Sequence, residues 1–295
     1  MSQHCCAFLT LEDREGFYVY DEMTFEPLSQ LGWSVQEIPW SQTDVDWDQF
    51  DLVVIRSTWD YQDRFDEFIS VLHAIDSSRA ILLNPIDTCV WNSSKEYLRE
   101  LQQLGVPIVP TIWLDAWSDK VVDDAFETFG ANKLVIKPIV GANADDTFVL
   151  QKAHSPSRET AAEVFDSSPG LLQPFLNSIV EEGEYSLIYF GDEYSHAIIK
   201  KPARGDFRVQ EEHGGAIDSY DANDQMIALG RKVLDSVPQR LLYSRIDFAR
   251  LDDGSLALME AELIEPSLYF PYDPASPERF AKVLDRTFRE RESQI

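Results

Sequence analysis

One stretch constrains this chain more than any other: Leu241 to Ser267, LLYSRIDFARLDDGSLALMEAELIEPS. Two apolar-rich runs flank Asp253-Gly254, and Asp-Gly between such runs is the strongest short-range hairpin signal. A two-residue loop there sets Asp252 against Ser255, Asp247 against Glu260 and Arg245 against Glu262. Side chains alternate along a strand, so Arg245, Asp247, Glu260 and Glu262 share one face, and Ile246, Phe248, Met259, Ala261 and Leu263 the other. One face is core and the other is chemistry. Opposed residues have Cβ atoms only about 4.5–5.5 Å apart. Three carboxylates so close resist ionising together unless a cation sits among them. Hard oxygen ligands with an open side suit Mg²⁺, which completes its shell with water and substrate phosphates. The competing reading is a solvated face on which Arg245 simply pairs Glu262, the usual fate of charges on a strand. The shared register of all four residues, with a clean apolar reverse face, favours the site.

Composition sets what this hairpin can serve. The chain has 295 residues, 44% hydrophobic and 26% charged, enough for one large domain or two to three small ones. Its formal net charge of -27 repels phosphate backbones and anionic membranes, which argues against nucleic-acid and membrane partners. Any phosphate site must therefore be a local concentration of lysine and arginine. Cys5, Cys6 and Cys89 make neither a disulfide framework nor a zinc spacing, and Asn92-Ser93-Ser94 reads better as a helix cap than as a glycosylation sequon. No apolar run is long enough to span a bilayer, and MSQHCCAFLTLEDREG lacks the pattern of a signal peptide. The expected compartment is the cytoplasm.

Taken in order, the first third alternates strand and helix: strands at 5–9, 33–38, 51–55 and 80–83, helices at 20–31 and 65–75. This predicts a small α/β domain with a mainly parallel sheet over residues 1–90. Ligands in such sheets sit beyond the carboxyl ends of strands, so Arg56, Ser57, Thr58 and Asp60, which follow DLVVI, are candidates for selecting an acid. Arg56 would hold its carboxylate; the competing reading is a pair with a nearby acid. Asn92-Ser93 predicts a cap for a helix running to Leu104, with Lys95 in its first turn, where the dipole disfavours it. Leu134 to Lys137 reads as a strand whose lysine precedes the small polar loop Gly141-Ala142-Asn143-Ala144-Asp145-Asp146. That placement suits phosphate, though the chain contains no Walker A motif. GLLQPFL at 170–176 is a strand and turn, and Glu184 to Lys200 makes two strands around Gly191-Asp192. Lys200, Lys201, Arg204 and Arg208 then form the densest cationic cluster, placed to grip an anion, with the competing reading of a solvated loop. Helices at 224–237 and after Ser276 complete the chain.

This order of parts resembles the ATP-grasp superfamily of carboxylate-amine ligases, most closely its glutathione synthetase branch. The motifs are Lys95, VIKP, QPFL followed by GE, an Arg/Lys loop ending in GG, and RID…MEAE, spread from Asp51 to Ser267. STWDY and FRVQEEHGG resemble a subgroup that includes the cyclo-ligase of D-cycloserine biosynthesis. The resemblance implies an α/β fold, α+β in its C-terminal half, with an N-terminal domain (1–90) followed by two subdomains (91–172 and 173–295) that clamp ATP. It implies that Lys95 and Lys137 hold phosphates, Gln173, Pro174, Phe175 and Leu176 line the adenine, and Glu184 accepts from the ribose. Lys200 would contact the γ-phosphate, Arg208 the activated carboxylate and Arg245 the tetrahedral intermediate. Asp247, Glu260 and Glu262 match the ligands of two Mg²⁺ or Mn²⁺ ions, although the family usually carries Asn at the position of Glu262. The implied reaction is ADP-forming ligation of a small carboxylate to an amine through an acyl phosphate, by an enzyme able to dimerise. The amine is either a separate molecule, as in peptide ligases of the glutathione synthetase type, or the substrate's own nitrogen. The rival class is a nucleotide-binding regulatory module without turnover; the presence of Lys137, Arg245, Asp247 and Glu260 speaks against it.

Overall fold

Continuous apolar runs belong to strands covered on both faces, and the first sheet is built from them. In the computed structural model, which describes residues 4–141, 145–153 and 155–293, β1 (His4–Thr10), β2 (Trp33–Pro39), β3 (Leu52–Ser57) and β4 (Ile81–Leu83) form a parallel sheet ordered β2-β1-β3-β4. Helix Phe65–Asp76 buries Phe68, Leu72 and Ile75 in one core with Ala7, Val53 and Ile55. The other core is completed by the end of the chain: Phe280, Leu284 and Phe288 of helix Ser276–Glu292 join Cys6, Phe8 and Trp33.

The second sheet is antiparallel, ordered β5-β8-β6-β7, from β5 (Ile112–Leu114), β6 (Lys133–Pro138), β7 (Phe148–Gln151) and β8 (Gly170–Pro174). Helices Asp119–Phe129 and Pro156–Val164 pack on it through Val122, Phe126 and Ala161. The third sheet, also antiparallel, runs β11-β10-β9-β12-β13, from β9 (Glu184–Phe190), β10 (Glu193–Lys201), β11 (Ala216–Tyr220), β12 (Tyr243–Arg250) and β13 (Leu256–Glu262). Its core takes Met226 and Val233 from helix Asp224–Asp235, and Tyr97, Leu98 and Leu101 from helix Tyr97–Gln103. Among the described residues, no helix is long and apolar enough to cross a membrane.

Three local expectations need correction. The expected helix from Asn92 to Leu104 is instead the end of one helix, Ile86–Asn92, then a turn, then helix Tyr97–Gln103. Asn92 caps nothing. Its amide donates to Ala261 O (2.8 Å) and accepts from Leu263 N (3.0 Å), satisfying the open edge of β13 with a matched donor and acceptor. Lys95 consequently lies in the turn between the helices, just ahead of the second one. Residues 20–31 likewise split into a 3-10 turn, Asp21–Thr24, and a short helix, Phe25–Gln30.

The hairpin is the third correction. Leu251 N donates to Ser255 O at 2.8 Å, so the loop is Asp252-Asp253-Gly254, three residues rather than two, with Gly254 at φ 84. That alone would shift the register by one. A bulge at Met259 restores it: Phe248 pairs Leu258, yet Asp247 pairs Glu260 and Arg245 pairs Glu262. The bulge also takes Met259 out of the core face. It packs with Val109, Leu176 and Ile179, while Ile246, Phe248, Ala261 and Leu263 stay in the core.

Burial of His196 makes one stability prediction. Its Nε2 lies 3.1 Å from Leu268 O and its Nδ1 2.9 Å from Ser195 Oγ. Burial pushes the ring's pKa from 6.5 down to about 4, against the pull of Asp273 and the Leu268 carbonyl. Above the unfolded value, both states are neutral. As pH falls from 6.5 towards 4, only the unfolded chain gains the proton, so stability is lost on acidification by up to about 3 kcal/mol. His196→Gln is expected to lose less stability than the parent between those pH values in urea unfolding; equal losses would refute the assignment.

Candidate active site

A cleft opens where β6 and β8 of the second sheet face β9, β10, β12 and β13 of the third. It gathers Lys95, Lys137, Gln173, Pro174, Phe175, Leu176, Glu184, Lys200, Arg208, Arg245, Asp247, Glu260 and Glu262. Arg56, Ser57, Thr58 and Asp60 do not line it; Trp59, Tyr61 and Gln62 from the same segment do. Gly141 and Asp145 lie on its rim, and the intervening Ala142, Asn143 and Ala144 of the expected phosphate loop lie outside the described residues.

The cations and acids here interlock because the hairpin and its neighbours point them at one another. Lys200, buried on β10, contacts Glu184 and lies 3.3 Å from Asp247 Oδ2. Arg245 Nε lies 3.2 Å from Asp247 Oδ1, and its Nη2 donates to Glu262. Lys95 Nζ is 3.4 Å from Glu260 Oε1 and donates to Gly141 O at 2.6 Å. The Lys137 ammonium has no hydrogen-bond or ion-pair partner among the described residues; burial pushes its pKa down, with Glu260 pulling the other way. An unpaired, half-buried ammonium on a cleft wall is a ready contact for phosphate.

Burial works against ionised Asp247, but Arg245 and Lys200 hold its pKa below the usual range. Lys95 and Lys137 do the same for Glu260. Glu262 goes the other way. Burial, reinforced by Asp247 and Glu260, raises it to about 7 in spite of Arg245. Among the described residues, no three acidic, histidine or cysteine side chains are arranged as a metal shell; each hairpin carboxylate is instead turned onto a cation. The donor set nevertheless fits a hard divalent ion, since the carboxylates of Asp247, Glu260 and Glu262 share one face of the hairpin.

The apolar end of the cleft is formed by Val109, Phe175, Leu176 and Ile179 with Met259. Gln173 is buried and donates to Thr111 Oγ1 (3.0 Å). Sequence periodicity put Met259 in the core, and only the bulge sends it here. Arg208 is bound back to Asp206, Nη2 to Oδ2 at 2.8 Å, within its own loop.

At the opposite end, Arg56 is almost fully buried. It pairs with Asp21 at 2.8 Å, lies over the Tyr243 ring and donates to Pro266 O (3.1 Å). Asp60 accepts from Trp40 Nε1 (2.7 Å), and the Ser57 and Thr58 hydroxyls are buried. The Pro266 contact is one of a series. From Leu263 to Ser267, each backbone carbonyl accepts from a different side chain: Asn84 (2.7 Å), the Tyr243 hydroxyl (2.8 Å), the Trp59 indole (2.8 Å), Arg56 (3.1 Å) and Arg245 (3.3 Å). This fixed strap carries Glu265 into the cleft. Sequence reading missed Glu265 because strand alternation ends at Glu262 and no periodicity marks the residues beyond it.

A three-sheet fold with a cleft lined by these lysines, arginine and hairpin acids defines an ATP-grasp ligase. Residues 6–84 match the family model of the D-cycloserine synthetase DcsG N-terminal domain. The cycloserine biosynthesis protein DcsG of Streptomyces lavendulae is 30% identical over 247 residues, 80% of this chain and 82% of that protein. The crystal structure of D-cycloserine synthetase DcsG superposes with a TM-score of 0.83 at 28% identity, over 96% of this chain and 99% of that one. The macrocyclase MdnC, bound with precursor peptide MdnA from Microcystis aeruginosa MRC, shares the fold alone, with a TM-score of 0.67 at 15% identity over 95% of this chain and 99% of that one. The chain belongs to the DcsG family of ATP-grasp proteins, and is an ATP-dependent carboxylate-amine ligase.

Proposed function

We propose that this ligase uses ATP and Mg²⁺ or Mn²⁺ to phosphorylate the carboxylate of a small amino-acid-like substrate, and that a nitrogen of the same molecule then displaces phosphate to close a ring. The observation that carries this reading is the meeting of Lys95, Lys137, Lys200 and Arg245 with Asp247, Glu260 and Glu262 in one cleft. The three hairpin acids would hold the metal, which when bound neutralises charge on the transferring phosphoryl group. The lysines bind and orient the phosphates, and Arg245 steadies negative charge where nitrogen attacks. Gln173 to Leu176 with Met259 hold the base, and Glu184 turns from Lys200 to the ribose. Arg208, on a loop over the cleft, would grip the activated acid once its partner Asp206 releases it, and closure keeps water from the acyl phosphate. Ring closure is favoured over ligation to a second molecule by the likeness to DcsG over most of the chain. The reading divides the chain at about 90 and 172 and places the enzyme in the cytoplasm, acting on small molecules, as a monomer or homodimer.

The test is ADP release with ATP, Mg²⁺ and hydroxylamine over a panel of amino acids and small peptides that includes O-ureido-serine. Acid-dependent ADP together with hydroxamate is expected. Release of AMP would sink the acyl-phosphate mechanism.

A further inference from the structure

Among the acids lining the cleft, Glu265 stands apart. Asp247, Glu184, Glu260 and Glu262 each contact a lysine or arginine. Glu211 accepts from the Tyr20 and Tyr272 hydroxyls, while Glu212 and Asp145 are open to water. Glu265 is half-buried, and among the described residues no lysine, arginine or histidine nitrogen lies within 4.0 Å of its carboxylate. The side-chain hydrogen bond it receives there is a long one, from Gln62 Nε2 at 3.4 Å.

A carboxyl group drawn out of water without a counter-ion is costly to ionise: burial, reinforced by Glu262, raises the Glu265 pKa to about 8, and the side chain is nonetheless held in place by an extensive support. The strap fixes the carbonyls on both sides of it, using two arginines, an asparagine, a tyrosine and a tryptophan. A second, independent observation concerns what surrounds it. Trp59, whose indole holds the Glu265 carbonyl, packs against Phe17 with ring centroids 5.5 Å apart, and both rings line this end of the cleft beside Tyr61. Aromatic faces beside an unpaired carboxylate make a receptor for an organic cation. Glu265 thus lines the same cleft as the lysines and Arg245, with an aromatic wall beside it.

We propose that Glu265 is the counter-charge for a protonated amine on the carboxylic acid substrate, so that the enzyme selects acids bearing an ammonium group over otherwise identical acids lacking it. This deepens the ligase reading and rests on it for the identity of the bound acid. Glu265 is a specificity-determining contact. The strap residues Trp59 and Arg56 position it.

The test is calorimetric binding of O-ureido-serine and its desamino analogue to the full chain in the presence of a non-hydrolysable ATP analogue and Mg²⁺. A charge-assisted contact in a half-buried site predicts a preference on the order of 10- to 100-fold for the amino acid. Glu265→Gln should bring the two ligands to equal affinity while ATP affinity, measured alone, stays unchanged and reports an intact fold. Glu265→Asp, which keeps the charge on a shorter stem, should retain part of the preference. Equal binding of the two ligands by the parent, binding of neither, or a preference that survives Glu265→Gln would overturn the proposal. Hydroxamate formation by the parent is scored separately, so a failed ligase reading and a failed Glu265 assignment give different results.

Discussion

Asp247→Asn is expected to lower ADP formation by about 10²- to 10³-fold, the scale on which removing a single preorganised electrostatic contact acts, while leaving the fold intact. Asp247 is where the site's charges converge: it contacts both Lys200 and Arg245, and stands opposite Glu260 in the hairpin. Asparagine keeps the shape and removes the charge. Neither cation is then stranded, because Lys200 retains Glu184 and Arg245 retains Glu262; a collapse of thermal stability is therefore not expected. The loss should appear in turnover, with ATP still bound but more weakly coupled to added Mg²⁺. Undiminished ADP release would remove Asp247 from the metal assignment, and unfolding of the variant would show that its role is chiefly structural.

The acidic hairpin face was legible because strand alternation and an Asp-Gly turn are local signals, and the pairings Asp247 with Glu260 and Arg245 with Glu262 hold in the structure. The route to them was not legible. A longer loop and a bulge at Met259 cancel, and sequence pattern cannot see two compensating shifts. Lys137 and Lys200 were recognisable as cations at buried strand positions in an acidic chain. Asn92 was misread because capping preference is a local rule, whereas the open edge it completes on β13 lies far along the chain. The packing of Phe280 and Phe288 on the first sheet and the carbonyl strap around Glu265 are likewise long-range, built from residues separated by most of the sequence.

Arg56 gives the second large effect. A substrate-binding arginine, when replaced, should raise KM and spare stability. The structure leads to the opposite expectation, since Arg56 is 2% exposed and its guanidinium is committed to Asp21, Pro266 O and the face of Tyr243. Arg56→Met fills much of the same space but strands the Asp21 carboxylate, itself only 4% exposed. Breaking one side of a buried pair costs about 3–5 kcal/mol. Asp21→Asn should cost less, because the arginine keeps its carbonyl and aromatic contacts. The double variant Asp21→Leu, Arg56→Met should recover part of the loss, since no buried charge is then left without a partner. Thermal melts of the three variants, with and without the carboxylic acid substrate, decide the matter. Destabilisation relieved in the double variant, and not cancelled by saturating acid, would place Arg56 in the support of the Glu265 strap. A normal melting temperature with weakened acid binding would return it to the substrate.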